Sequence, residues 1–193
     1  MIQIGRAYTL EVVRDTDQGY YLDASPLDTI LLPRRECEDL DIGDQVEVFL
    51  YYDSEDRPIA TRKKPKAQIG EFASLKVVDV TSVGAFLDWG LDKHLFVPFG
   101  EQKNKMELGR HYIVYVHSNR HDGRLLASSK LDRYLDRLPA HYTPRQAVSL
   151  LVAATTDLGF KVIVDNAHWA VLYKNEVFKP LRSGQKIDGF IKQ

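Results

Sequence analysis

The sequence predicts an all-β protein built from tandem five-stranded barrels, with a short connecting helix before the third. Three observations carry that expectation. The chain superposes on itself at a fixed offset, each repeating unit holds several short runs with strand-type alternation, and no long amphipathic helix lies between those runs.

The offset is 65 residues. It lays IGRAYTLEVV (Ile4 to Val13) over IGEFASLKVV (Ile69 to Val78), Gly19-Tyr20-Tyr21-Leu22-Asp23 over Gly84-Ala85-Phe86-Leu87-Asp88, and Leu31-Leu32-Pro33 over Phe96-Val97-Pro98. One inserted residue later, Leu40-Asp41-Ile42-Gly43 meets Met106-Glu107-Leu108-Gly109. A further shift of 75 places Leu150, Val152, Gly159 and Gly184 on Leu75, Val77, Gly84 and Gly109, which marks a third unit.

Within the second unit, SLKVVDV alternates and is rich in β-branched residues. GAFLDW follows after Thr81-Ser82-Val83, as the return arm of a hairpin does. HLFVPF is a third run, YIVYVHSN a fourth, and RLLASSK a fifth after the turn His121-Asp122-Gly123. Five short strands in so few residues fit a small closed barrel of the OB type. Gly84 is expected at a bend or bulge where a strand coils round such a barrel.

Two interruptions separate the units. RKKPK (Arg62 to Lys66) breaks two strand patterns with charge and proline. In LDRYLDRLPAHYTPRQ, Leu131, Tyr134, Leu135 and Leu138 have helical spacing until Pro139 stops it, which predicts a short helix and a Pro-containing linker. The expected organisation is a first barrel at 1–64, a second at 65–131, a linker at 132–146 and a third barrel at 147–193.

Composition is that of an ordinary soluble globular chain, with 44% hydrophobic and 27% charged residues among 193. No apolar run is long enough to span a bilayer, and MIQIGRAYTL lacks the layout of a signal peptide, so no membrane partner and a cytoplasmic location are expected. The single cysteine, Cys37, cannot form an internal disulfide. The net charge of -1 hides an asymmetry: residues 1–64 hold 14 Asp/Glu against 8 Lys/Arg, whereas residues 139–193 hold 4 against 7. A polyanion would therefore find its poorest surface on the first unit.

With GAFLDW followed by LFVP and RLLASSK, the second unit resembles the ribosomal S-one type RNA-binding domain, a five-stranded OB barrel. Three such units in tandem resemble the conserved virulence factor B family of bacterial RNA-binding regulators. The resemblance implies bases stacked on second-strand aromatics, with a third-strand histidine and a final-strand arginine contacting RNA. Phe86 and Arg124 match those positions in the second unit, while Val83 and Pro98 stand where an aromatic and the histidine belong; His94 lies four positions before Pro98. In the first unit Tyr21 and Arg57 match, while Gln18 and Pro33 depart. In the third, Lys161 replaces the aromatic beside Phe160, and Tyr173 falls at the histidine position. The family pattern also implies that the third unit stops before its fifth strand, which in family members precedes a winged-helix domain. An open edge at Lys186 to Gln193 would then be available for pairing. Ribosomal or RNA-processing proteins are further candidate partners, and control of transcript processing, stability or virulence-type gene expression is the implied role.

The residues themselves allow two readings of Phe86, as a base-stacking platform or as a core aromatic. Alternation puts Phe86 on one face with Gly84 and Asp88, opposite Ala85 and Leu87, and a carboxylate argues that this face is the outer one. The same test puts Tyr21 outside with Asp23. Arg124, Lys93 and Arg120 are candidate phosphate contacts, with solvated surface charge as the alternative. His94, His111, His117 and His121 show neither paired cysteines nor helical HxxxH spacing, so no metal or other cofactor is expected. Carboxylates surround Cys37, which argues against an activated thiol, and no phosphate-cradling or nucleophile-elbow motif occurs. The expected function is single-stranded RNA binding, chiefly by the second barrel, without catalysis. A protein-interaction scaffold using the acidic first barrel, with Tyr20 or Tyr21 exposed, is the alternative, and a cryptic enzyme is the more distant rival.

Overall fold

Among the described residues, ten strands build two closed barrels of the same topology, and four more form a third sheet. The computed structural model describes residues 1–192. In the first barrel, β1 (Ala7–Thr16), β2 (Gly19–Asp23), β3 (Thr29–Pro33), β4 (Gln45–Tyr52) and β5 (Pro58–Thr61) close in the order β1-β2-β3-β5-β4. The second repeats that order with β6 (Phe72–Val80), β7 (Gly84–Asp88), β8 (Leu95–Pro98), β9 (His111–Ser118) and β10 (Leu125–Ser128).

Closure depends on the long first strand serving two neighbours. Ala7 to Glu11 pair with β4, while Val12 to Thr16 pair with β2, and the register slips at Val13. The same slip falls at Val78 in β6 and at Ala153 in β11 (Ala147–Thr155). One extra residue bends the strand and increases its twist, which lets a short sheet curl shut. The bulge expected at Gly84 therefore lies on the opposing strand instead. Gly84 matters for a different reason. With φ +154, a Cβ there would sit 2.4 Å from the Val97 carbonyl oxygen, so the residue permits close approach of β7 to β8.

The third sheet has the order β13-β12-β11-β14, with β12 (Gly159–Val164), β13 (His168–Tyr173) and β14 (Lys186–Phe190). It matches the β3-β2-β1-β4 part of the first barrel, with no strand between β13 and β14 among the described residues. The edge expected at Lys186 to Gln193 contains β14; Gln193 lies outside the described residues.

The connecting helix is a single 3-10 turn, Leu131–Arg133. Helical periodicity is overridden because its apolar residues have other partners. Leu135 is buried with Phe72, Leu151 and Ile163, and Leu131 and Tyr134 pack against the same cluster between the second barrel and the third sheet. Asp136 then takes φ +54, donates its N–H to the Ala167 carbonyl and accepts the Trp169 N–H, while Leu138 is left exposed. A left-handed residue with outward hydrogen bonds ends helical geometry.

The first two barrels share a core. Phe49 and Tyr51 of β4 are buried in the cluster that contains Leu75, Leu87, Leu95 and Val116 of the second barrel. Where RKKPK suggested a boundary, the Lys66 N–H donates to the Trp89 carbonyl at 2.8 Å and Ala67 is buried, so the join is short and pinned. No helix among the described residues is long and apolar enough to cross a membrane.

Candidate functional site

Alternation along β7 buries Ala85 and Leu87 and leaves Phe86 half-buried on the outer face beside Asp88. The neighbouring strand alternates in step: Leu95 and Val97 point into the core, and Phe96, paired with Phe86 in register, points out. The two rings stack, with centroids 5.0 Å apart and planes inclined by 29°. Each ring turns one face to its partner, and the faces that point away form apolar surface of the kind that accepts a flat π-system.

That platform lines a groove of about 460 Å³ between the first two barrels. Besides the two phenylalanines, the lining from the second barrel includes Val83, Lys93, His94, Arg124, Leu126 and Asp79, which is paired with Phe86 across β6 and β7. The first contributes Tyr51, Tyr52 and Asp56. Burial is the main cause pushing the Tyr51 phenol up from its ordinary value, reinforced by the negative charge of Asp92, so Tyr51 stays neutral at physiological pH.

Charge in the groove is arranged around Asp56. Arg124 Nη2 donates to Asp56 Oδ2 at 2.7 Å and Lys93 Nζ donates to Asp56 Oδ1 at 3.1 Å. Lys93 Nζ also donates to the Asp53 carbonyl at 2.8 Å. Both cations are thus engaged by the β4–β5 turn of the first barrel, and His94 is exposed nearby.

The other predicted residues lie elsewhere. Arg120 is exposed in the β9–β10 turn and does not line the groove. Tyr21 is on the outer face of β2, but the Arg14 guanidinium lies over its ring, 4.2 Å from the centroid. Tyr20 is not exposed: it is a core residue whose hydroxyl donates to the Leu40 carbonyl. Arg57 pairs with Asp53 and Glu55 of its own turn. In the third sheet, Lys161 Nζ sits 3.9 Å above the centre of the Trp169 ring, and Tyr173 is exposed at the end of β13. Cys37 is buried and directs its thiol to the Leu32 and Pro33 carbonyls. No three His, Cys, Asp or Glu side chains converge among the described residues.

Sequence reasoning missed Phe96 and Asp56. Phe96 carried a usable signal, because Leu95-Phe96-Val97-Pro98 alternates as Gly84 to Asp88 does. Asp56 carried none, since its partners are set by how two barrels dock.

Comparison with known proteins bears on the same region. The S1 domain matches residues 4–63 and again 69–130, which contain the first and second barrels. Uncharacterized protein YitL of Bacillus subtilis strain 168 is 42% identical over 95 residues, 48% of this chain and 32% of the relative, so the match spans about a third of that protein. The crystal structure of a multidomain protein with nucleic acid binding domains from Streptococcus pneumoniae TIGR4 superposes with a TM-score of 0.57 at 19% identity. That superposition covers 98% of this chain and 69% of the other, a likeness of fold.

Proposed function

Because the chain belongs to the S1 domain family, with two matched copies, we propose that it binds single-stranded RNA on the outer face of the second barrel. The carrying observation is the stacked pair Phe86 and Phe96, set in a groove with Arg124, Lys93 and His94 at its edge. Unpaired bases stack on the phenyl faces, and the cations hold phosphates, giving salt-sensitive binding with modest sequence preference. The first barrel is the weaker platform, since its outer tyrosine is capped by Arg14 and its surface is acidic.

On this reading the protein is a binding module without a catalytic step or cofactor, working in the cytoplasm. Its units are 1–64, 65–131 and 147–193, joined by 132–146. Resemblance to the conserved virulence factor B family supports a regulatory use in transcript processing or stability, with ribosomal or RNA-processing proteins as further partners.

The test is fluorescence anisotropy of labelled U-rich and A-rich single-stranded RNA with wild type and Phe86→Ala at two salt concentrations. Salt-sensitive binding that the substitution weakens by about 1 kcal/mol or more is the expected result. An absence of binding, or equal binding by the variant, overturns the second-barrel platform.

A further inference from the structure

We infer that Asp56 of the first barrel is a resident stand-in for phosphate in the second barrel's groove, and that RNA binds by exchanging a phosphate for this carboxylate. The inference rests on the RNA-binding reading and adds an affinity-setting residue from a different barrel.

Each Asp56 oxygen is taken by a different groove cation, Oδ1 by Lys93 and Oδ2 by Arg124. An anion that joins an ammonium and a guanidinium in this way occupies the position that a backbone phosphate needs. The carboxylate is aimed by the architecture of its turn. Asp56 adopts φ +59 and donates its N–H to the Asp53 carbonyl at 3.0 Å; the Asp53 carboxylate accepts the N–H groups of Glu55 and Arg57 and the Arg57 Nε. The Asp53 carbonyl in turn holds Lys93.

The pairs are also exchangeable. The Arg124 and Asp56 side chains are 59% and 42% exposed, and ion pairs this open to solvent are weak. A phosphate offers more acceptor oxygens to the same donors, and stacking on Phe86 and Phe96 adds binding that Asp56 cannot match. A polyanion without bases has only the electrostatic exchange, against a carboxylate already in place. Asp56 therefore weakens every polyanion at this groove, and stacking on Phe86 and Phe96 is what carries single-stranded RNA past that threshold.

The experiment compares wild type, Asp56→Asn and Glu55→Gln by anisotropy with labelled U-rich RNA, at several salt concentrations and with unlabelled polyphosphate as competitor. Asparagine tolerates the left-handed backbone at this position, so the turn is kept. Glu55→Gln removes the same charge from the same turn, but Glu55 pairs with Arg57 and not with the groove cations.

Asp56→Asn is expected to tighten RNA binding about 3- to 10-fold at low salt and to steepen the salt dependence, as Lys93 and Arg124 lose their shared carboxylate and keep only the Asp53 carbonyl and the longer Asp122 pair at 3.7 Å. Polyphosphate should then compete at lower concentration against Asp56→Asn than against wild type, with Glu55→Gln close to wild type. If wild type binds RNA and Asp56→Asn binds equally or more weakly, the inference is wrong and the RNA-binding reading stands. Equal tightening by Glu55→Gln would reduce the effect to bulk charge and also overturn it. If none of the three proteins binds RNA at any salt concentration, the RNA-binding reading fails and takes this inference with it.

Discussion

Trp89 of the second barrel meets Phe49 of the first edge-on, with ring centroids 5.6 Å apart and planes at 88°. Both residues are 2% exposed, and Trp89 Nε1 donates to the Lys93 carbonyl at 2.7 Å. The contact joins two cores and fixes the backbone that carries a groove lysine. Trp89→Ala should therefore cost about 3–5 kcal/mol, the range for emptying a large aromatic site. Urea unfolding followed by circular dichroism should show the first two barrels of the wild type melting in one transition, shifted to lower urea in the variant. Two resolved barrel transitions in the wild type would show that the shared core does not couple them.

Phe96 stacks on Phe86 from the adjacent strand and is half-buried. Phe96→Ala should weaken RNA binding by about 1–3 kcal/mol, the range for loss of a base-stacking aromatic. Phe96→Tyr, which keeps the ring, should bind within about twofold of wild type. Anisotropy titrations of the two variants check this, and equal losses in both would point to packing rather than stacking.

What was legible in the sequence is what depends on local period. Two-residue alternation placed Phe86 beside Asp88 on the outer face of β7, and the 65-residue repeat placed equivalent strands in both closed barrels. Features that depend on contacts between distant elements were not legible. Leu131, Tyr134 and Leu135 have helical spacing, yet only Leu131 lies in the single 3-10 turn, and packing between two sheets takes up all three side chains. Asp56 reads as one more acidic residue of an acidic unit until docking brings it to Arg124, 68 positions away. Tyr21 likewise looks like a free platform until Arg14, across the β1–β2 hairpin, covers its ring.

The glycines offer a paired test of why the barrel closes. A Cβ at Gly84 would stand 2.4 Å from the Val97 carbonyl oxygen, whereas one at Gly43, which also has positive φ, would meet nothing within 4 Å. Gly43→Ala should cost only the backbone preference, about 1–2 kcal/mol. Gly84→Ala must in addition push β8 from β7 and should cost clearly more, about 3 kcal/mol. Denaturation midpoints of the two variants measure the difference, and equal losses would show that β8 yields without cost.

Acid should loosen the junction between the barrels through Asp92. Its carboxylate is held below the ordinary value of 3.8, first by the hydrogen bond from Lys63 and then by the nearby Arg35 guanidinium, with partial burial opposing them. Lys63 Nζ donates at 2.7 Å and Arg35 also pairs with Asp92; both cations belong to the first barrel and the carboxylate to the second. A carboxylate whose folded value is depressed contributes stability that is fully present above its unfolded value. That contribution is lost as pH falls through the folded value, so the window lies below about pH 4. Asp92 is 48% exposed, which limits the effect to about 1 kcal/mol or less. Asp92→Asn should lower the urea midpoint slightly at pH 7, and its difference from wild type should shrink as pH falls below about 4. A difference that persists undiminished at pH 3 would mean that Asp92 acts through neutral hydrogen bonds, with its charge contributing nothing to the junction.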